Sequence, residues 1–428
     1  MKIGILGGGL TGLTIASNLK YDCEVLEKNK ECGGLCRSLK KQGFTFDWGG
    51  AHIIFGRDKK FIDHLKKTLG GNWKKNKRNN KIFFKGRYVK YPFENGLSDL
   101  SPQDNFECLY RYLNNPYKKS TNFKEWLYFN FGQGIAEKYL IPYNQKIWKY
   151  PLEKISLHWV ERVPKPPLED IIKSSVGIPT EGYTHQLYFY YPKKGGIQSL
   201  IRIFEKKAPF ILKEFKIKKI KKEGKQWVVF GEKEKRFFDK LISTIPVFDL
   251  FSYLENVPPD VKNALKSLKY NSLITVMLGL KQKKLSEFTA VYIPQKEFLF
   301  NRLAFPANFS RYNVPKGKSS IVAEITTKPE DNIWRLSDQK IIQRVINDLA
   351  KMRIIDKKDI IFKKAMRSKY AYVVYDKDYQ KNVDKVRYFA KKVGIELCGR
   401  FGQFEYLNMD ACIERGFDLT KKINSGRV

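Results

Sequence analysis

The stretch Lys2–Thr14, "KIGILGGGLTGLT", decides the fold of this chain. A short apolar strand meets three glycines, and a helical pattern ("LTGLTIASNLK", 10–20) begins at once; a second apolar run, "CEVLEK" (23–28), follows. This order predicts a βαβ unit. Within it Gly7, Gly9 and Gly12 stand at dinucleotide-binding spacing. Gly7 permits the tight turn, Gly9 lets the backbone approach a pyrophosphate, and Gly12 lets helix and strand pack closely. The helix N-terminus offers unpaired N–H groups and a positive dipole end to the phosphates. Glu27 ends the second strand, where a carboxylate can bind ribose hydroxyls.

Just beyond, Gly33-Gly34-Leu35-Cys36-Arg37 leads into "GFTFDWGGAHIIF" (43–55). A second glycine pair, an arginine and a further glycine-rich strand suit FAD better than NAD. FAD is longer and lies extended, so its flavin end needs another close approach of backbone. Arg37 is either a partner of the pyrophosphate or a surface arginine. Gly49 and Gly50 allow something flat to approach, and His52, one of 4 histidines, stands beside them.

The 428 residues exceed one simple core and predict two or three interlocked domains. Hydrophobic residues at 42% and aromatics at 14% argue for a globular enzyme and against disorder. The 81 basic and 44 acidic residues leave +37, which favours anionic partners. The lysines are spread along the chain, however, in runs such as "KKNKRNNK" (74–81) and "KIKKIKKEGK" (216–225). We read these runs as solvated surface. Without a nucleic-acid-binding motif beside them, nucleic acid is not an expected partner, whereas a phosphorylated small molecule is. Six cysteines form no disulfide framework, and "CGGLC" (32–36) has neither redox nor zinc spacing. No metal site is expected. Apolar runs fall short of the ~18 residues a membrane helix needs, so the expectation is a cytoplasmic protein without a membrane span.

Along the chain, 101–160 reads as mostly helical, 208–245 as an antiparallel meander returning to a buried strand, 270–330 as strand-rich, and 339–352 and 410–423 as helices. The expected architecture is α/β. A discontinuous Rossmann-like FAD-binding domain (1–77, 193–250 and 392–428) carries a helical insertion domain (100–176). A mainly antiparallel sheet forms the substrate domain (78–99, 177–192 and 251–391).

Several blocks together resemble the flavoprotein UDP-galactopyranose mutases, especially their eukaryotic-type branch, within the amine-oxidase-like FAD superfamily. They are "GFTFDWGGAHIIF" (43–55), "GRYVKYPFENGLSDL" (86–100), "GQGIAEKYLIPYNQKIWKYP" (132–151), "HWVERVPKP" (158–166), "YPKKGGIQSL" (191–200), "LISTIP" (241–246) and "GRFGQFEYLNMD" (399–410). The superfamily at large shares the glycine blocks and "STIP"; the "PYNQKIW" and "GRFG…YLNMD" blocks are more specific to the mutases. The resemblance implies interconversion of pyranose and furanose forms of UDP-galactose, or a related UDP-sugar, without net redox. In that chemistry N5 of the reduced flavin attacks the anomeric carbon, so the cofactor is the nucleophile. FAD is the implied cofactor, with NAD(P)H a possible external reductant and a homo-oligomer a possible assembly.

By position in the matching blocks, Arg162 and Arg302 resemble the family's diphosphate arginines, and Tyr292, Tyr372 and Tyr406 its phosphate-contacting tyrosines. An arginine fork suits a diphosphate because it bonds two oxygens at once and keeps its charge. The resemblance places Arg78, Tyr91, Asn95, Asn144 and Trp148 in the pocket, and Arg400 with Asn408, Met409 and Asp410 along the flavin. The resemblance also implies that His52 belongs to a loop passing the isoalloxazine face, joining Arg162 and Arg302 as the catalytic set. Three departures touch this picture: Ala51 separates the glycine pair from His52, Glu94 stands where the pattern has glutamine, and Phe309 where it has tyrosine. The competing reading is a flavin oxidoreductase of the amine-oxidase or protoporphyrinogen-oxidase type, which shares the fold but consumes an electron acceptor.

Overall fold

Lys2–Leu6 is the middle strand of a five-stranded parallel sheet, ordered Ile211–Leu212, Asp22–Leu26, Lys2–Leu6, Lys240–Ser243, Ile395–Leu397. The computed structural model describes residues 1–55, 59–162, 165–182 and 187–427, except for the side chains of 59–61, 64, 159, 161 and 162. One face of the sheet buries Ile3, Ile5, Val25 and Ile242 against Ile15 and Ile423. The other buries Leu6, Leu26 and Leu241 among Phe238, Val383 and Val386. Covering on both faces is why these strands read as unbroken apolar runs. The glycine turn is as tight as its sequence demands: Gly7 has φ +101°, and a Cβ on Gly12 would lie 2.1 Å from the Gly7 carbonyl oxygen.

Between its visits to this sheet the chain builds a second, seven-stranded one. Its order is Ile360–Val374, Lys269–Leu280, Ser319–Thr327, Arg302–Ala304, Ala290–Tyr292, Asn80–Phe84, Arg87–Lys90. All its pairings are antiparallel except that of Ala290–Tyr292 with Asn80–Phe84. Lys269–Leu280 is buried from Asn271 onward, because it is paired along both edges and covered by the apolar stripe Ile341, Ile342, Val345, Ile346 and Leu349 of the helix Asp338–Lys351.

Within 208–245 the antiparallel meander is present over Lys219–Phe238 and returns to the buried strand Lys240–Ser243, as expected; Ile211–Leu212, ahead of it, joins the edge of the parallel sheet instead. The lysines of the basic run 74–81 are solvated, as expected, and the run also supplies strand positions. Lys74–Lys77 pairs with Tyr188–Tyr191, and Asn80 opens a strand of the large sheet. Period-two alternation turns lysines outward while burying Asn76 and Asn80, and the Asn76 amide donates to the Phe309 carbonyl at 3.1 Å.

The helical insertion holds Pro102–Leu113, Phe123–Ile135, Ile141–Trp148 and Leu168–Ser175. Ser101 and Asn122 cap the first two helices, their side-chain oxygens accepting from the Asp104 and Glu125 N–H groups. Phe123, Trp126, Leu127, Phe131, Ile135 and Tyr139 fill its core. Helix 123–135 breaks at Gly132 (φ +67°), where a Cβ would meet the Arg111 carbonyl oxygen at 2.6 Å. Among the described residues no helix is long and apolar enough to cross a membrane.

The insertion is fastened to the large sheet by the buried Asn271, whose amide donates to the carbonyls of Ile147 and Trp148 at the end of a helix. Asn271→Ala leaves both carbonyls without this donor and should cost about 2–3 kcal/mol of stability, read by denaturant unfolding of the holoprotein. A loss under 0.5 kcal/mol would show that the tie contributes little.

Candidate functional site

A cavity of about 790 Å³ reaches from the glycine turn of the parallel sheet to the strands of the large one. At its first end the Gly33 N–H donates to the Gly8 carbonyl at 2.8 Å, so the second glycine pair is stitched to the turn. A Cβ on Gly9 would meet nothing within 4 Å, and one on Gly34 would meet only Gly9 Cα, at 3.7 Å. Two bare backbones therefore face open cavity. Arg37 stands over them: its Nε donates to the Gly34 carbonyl at 3.0 Å and its guanidinium lies 4.1 Å from the centre of the Trp48 ring. An open glycine cradle with a fixed cation beside it fits the pyrophosphate of FAD.

Glu27 does more locally than its sequence position suggests. It accepts from the Gly8 N–H at 2.8 Å and the Asn29 N–H at 2.8 Å, bracing the turn, while Lys28 and Asn29 line the cavity. Gly7 and Gly12 likewise shape the turn from behind the wall.

The middle of the wall is the loop 48–53, held by two buried carboxylates. Asp47 accepts from the Ser38 hydroxyl (2.8 Å), the Tyr191 hydroxyl (2.9 Å) and the Ile197 N–H (3.1 Å). Glu324, on the strand Ser319–Thr327, accepts from the Ala51 N–H at 3.0 Å. Gly50 has φ +92°, and a Cβ there would lie 2.9 Å from the Glu324 carboxyl carbon. Gly49, Ala51 and His52 line the cavity; Gly50 faces Glu324 behind it. His52 Nδ1 lies 3.0 Å from the Gly50 carbonyl. A carbonyl only accepts, so Nδ1 carries the hydrogen and Nε2 keeps its lone pair. Burial pushes this imidazole down to about 4, leaving it neutral at pH 7. Burial pushes the Asp47 carboxyl up to about 6.

Opposite the loop, Arg400 donates to the carbonyls of Leu407 (2.6 Å) and Ala371 (2.7 Å) and lies 4.0 Å from the Tyr406 ring centre. It thereby holds Asn408 and Met409 against the cavity; Asp410, one residue into the terminal helix, is off the wall. Its own Nε is buried without a hydrogen-bond partner.

At the far end Arg302 donates to Glu324 at 2.6 Å and Arg78 to the Tyr292 hydroxyl at 3.0 Å. Burial opposes the Arg302 charge, but Glu324, then Tyr372 and Tyr292, more than offset it and hold the guanidinium firmly ionised. Tyr372 stacks on Tyr406 with ring centres 6.1 Å apart, completing the wall. Tyr91 stands behind, 4.7 Å from the Tyr292 ring. Asn95 and Asn144 are not brought to the cavity: Asn95 donates to the Thr180 hydroxyl (2.6 Å) on the segment that follows the insertion, and Asn144 to the Leu140 carbonyl (2.8 Å) inside it. Trp148 donates to Asn144 and meets Tyr406 edge-on, with ring centres 6.1 Å apart. Glu94 is buried among the Tyr91 and Tyr139 neighbours, and Phe309 lines the cavity beside Phe189. Arg162 ends the turn Leu157–Arg162, and its side chain lies outside the described residues. Sequence reasoning missed Glu324 and Asp47 as site-building residues; the one available signal for Glu324 is a lone acid inside the apolar run "SSIVAEITT" (319–327).

The two shifted groups oppose one another in pH. His52, with its folded value below the ordinary 6.5, gives stability that is present above that value and lost as pH falls towards 4. Asp47, raised from 3.8, works in the reverse sense, its contribution lost as pH rises towards 6. Substituting His52→Asn removes only the first. The variant should lose about 2 kcal/mol less than wild type between pH 7 and pH 5 in denaturant unfolding; equal losses would refute a buried neutral imidazole.

Comparison with known proteins agrees with this architecture. Residues 10–376 match the family described as flavin containing amine oxidoreductase. The crystal structure of a reduced UDP-galactopyranose mutase superposes with a TM-score of 0.91 at 26% identity, covering 99% of this chain and 94% of that one. A protein of Exiguobacterium sp. 255-15, provisionally assigned as a protoporphyrinogen oxidase, shares the fold at a TM-score of 0.79 and 18% identity, covering 99% of each chain. The 4,4'-diapophytoene desaturase of Staphylococcus aureus (strain MRSA252) is 42% identical over 57 residues, 13% of this chain and 11% of the desaturase. With most of its length matched and a glycine cradle that suits FAD, this chain is an enzyme of the flavin containing amine oxidoreductase family, with a fold like that of UDP-galactopyranose mutase.

Proposed function

We propose that this protein is an FAD-dependent nucleotide-sugar mutase that interconverts pyranose and furanose forms of UDP-galactose or a related UDP-sugar with no net redox change. The observation that carries this reading is the cationic, phenolic far end of the cavity. Among the described residues, the guanidiniums of Arg78 and Arg302 stand there with Tyr292 and Tyr372 and the Glu324 carboxylate, and Arg400 stands on the adjoining wall beside Tyr406. An excess of fixed positive charge with hydroxyl donors attracts a diphosphate and repels an ammonium substrate. The likeness to a reduced UDP-galactopyranose mutase over 99% of the chain supports the same reading.

When bound and reduced, FAD would supply the nucleophile for the anomeric carbon, so the reduced form is the active one and NAD(P)H is a candidate reductant. The work of this chain's residues is to hold the diphosphate as it leaves and returns. Arg302 is suited to this because Glu324 fixes its fork, and Arg78 because Tyr292 does the same. Arg162 is proposed as a second diphosphate arginine on the family resemblance alone. The neutral His52 adds no competing cation, and its Nε2 offers a lone pair to the cavity.

The second reading, a flavin oxidoreductase, is favoured by the likeness to the Exiguobacterium protein. One assay separates the two. The dithionite-reduced holoenzyme should interconvert UDP-galactopyranose and UDP-galactofuranose on chromatography, consuming no reductant per turnover. The oxidised enzyme should be inactive. Turnover by oxidised enzyme with matching peroxide would instead establish the oxidoreductase. Arg302→Ala should lower kcat/KM by about 10- to 150-fold, the worth of one charged hydrogen bond to phosphate, with FAD content unchanged. Lysine at that position should recover only part of the loss.

A further inference from the structure

We infer that the outer face built by the turns around Lys41, Lys194 and Arg311 is a docking surface for an anionic phospholipid bilayer. The inference concerns this face alone and holds whichever reaction the cavity runs.

Three stretches supply the face: "SLKKQGFTF" (38–46), "YPKKGGIQSLIRIF" (191–204) and "SRYNVPKGKSSIVA" (310–323). Together they carry eight basic residues and no acidic one, in a chain that has 44 acids to 81 bases. Lys40, Lys41, Lys193, Lys194 and Arg202 are exposed, and so are Arg311 and Lys316. Among the described residues none of these cations forms an ion pair with a carboxylate. Glu205, the acid that follows Arg202 on the helix Gln198–Lys207, is taken by Lys213 at 2.6 Å.

The fold holds the three stretches together. The Ser38 N–H donates to Gln198 Oε1 at 3.0 Å, and the Gln198 N–H to the Ser38 hydroxyl at 3.1 Å. The Ser310 hydroxyl donates to the Lys193 carbonyl, and the Ser199 hydroxyl to the Lys194 carbonyl at 2.6 Å. Lys194 Nζ lies 4.9 Å from the centre of the Tyr312 ring, and a Cβ on Gly195 would lie 3.3 Å from Lys40 Nζ. The crowding of like charge is visible at two groups. Burial first and Arg202 second hold the Lys40 ammonium below its ordinary value. Arg311 foremost, joined by Lys194 and Lys193, lowers the Tyr312 hydroxyl. Cations fixed side by side repel one another, and an external anion relieves that repulsion.

The composition of the face selects the kind of anion. A fluid bilayer presents headgroups that move laterally to meet cations at unequal spacing, and clusters of about four to eight basic residues bind it. Most of the cations here are lysines, mobile point charges instead of planar forks. Tyr312, 42% exposed in their midst, has the amphipathic ring that settles at headgroup level. A nucleic acid would need a free ring for its bases to stack on. The Tyr312 ring already carries Lys194 and Arg311, each 4.9 Å from its centre.

The test floats the FAD-loaded enzyme with vesicles of phosphatidylcholine, alone or with about 30% phosphatidylglycerol, at about 0.15 M salt. Binding should require the anionic lipid and weaken at least ~10-fold by about 0.5 M salt. Lys193→Gln, Lys194→Gln and Arg311→Gln together should lower the partition coefficient at least ~10-fold, each cation contributing about fivefold. Lys222→Gln, Lys225→Gln and Lys233→Gln together remove the same charge from the three-stranded sheet and should lower it less than about threefold. Flavin content should match wild type in both. Should the first triple lose its flavin, Lys40→Gln, Lys41→Gln and Lys316→Gln together, on the other turns of the face, decide the question at the same threshold. Equal losses in the face and sheet triples would make binding a property of net charge and overturn the inference. Failure of wild type to bind at about 0.15 M salt does the same. If the vesicles are not bound but a DNA duplex of about 20 base pairs is, and the first triple releases it, the face is a nucleic-acid surface and the inference falls.

Discussion

The ladder between Lys2–Leu6 and Lys240–Ser243 joins residues 237 positions apart, and the rest of the architecture hangs from it. Until that pairing forms, the glycine turn has a strand on one side only, and the cavity has no floor. Closing so long a loop is less costly than its length suggests, because the entropy term grows with the logarithm of loop size. The intervening chain can therefore hold an entire second sheet and a helical insertion. Each has an apolar core of its own; Asn271 ties the two together at the end of helix Ile141–Trp148, and the large sheet is tied back through contacts such as Thr275 to Trp48 and Tyr370 to Asp249.

Within this frame, the site is an exercise in keeping charges buried without leaving them unpaired. Removing a carboxylate or guanidinium from water costs several kcal/mol unless partners replace the hydration shell. Asp47 meets that demand with three donors, and Glu324 with an arginine and a backbone N–H. Arg400 uses two carbonyls and an aromatic face. The same partners make these groups rigid. A cavity wall assembled this way holds its shape before any ligand enters, which lowers the cost of binding one.

Legibility in the sequence follows the range of the physical demand. Gly7, Gly9 and Gly12 are readable because turn, open backbone and helix–strand contact are set within a dozen residues, and Gly12 is confirmed by its contact with Gly7. In residues 74–81 the solvated lysines are legible from composition, whereas the pairing of Lys74–Lys77 with Tyr188–Tyr191 is not, because those partners lie more than a hundred residues away. Asn95 and Asn144, placed at the pocket by resemblance, spend their amides away from it, on Thr180 and on Leu140 of the insertion. Glu324 shows only as an acid in an apolar run, with nothing local to name its partners.

By itself, the sequence determined the dinucleotide turn, the apolar strands of a doubly covered sheet, and an α/β chain whose charge favours an anionic ligand. Those features depend on neighbours a few residues apart, so composition and period reveal them. Only the tertiary structure decided that Arg302, Glu324 and Thr275 share one register line, that Ala51 and Trp48 are pinned to it, and that Glu27 braces the turn. Strand register is set by side-chain packing across the whole sheet, and a slip of one residue would turn each of these groups to the opposite face.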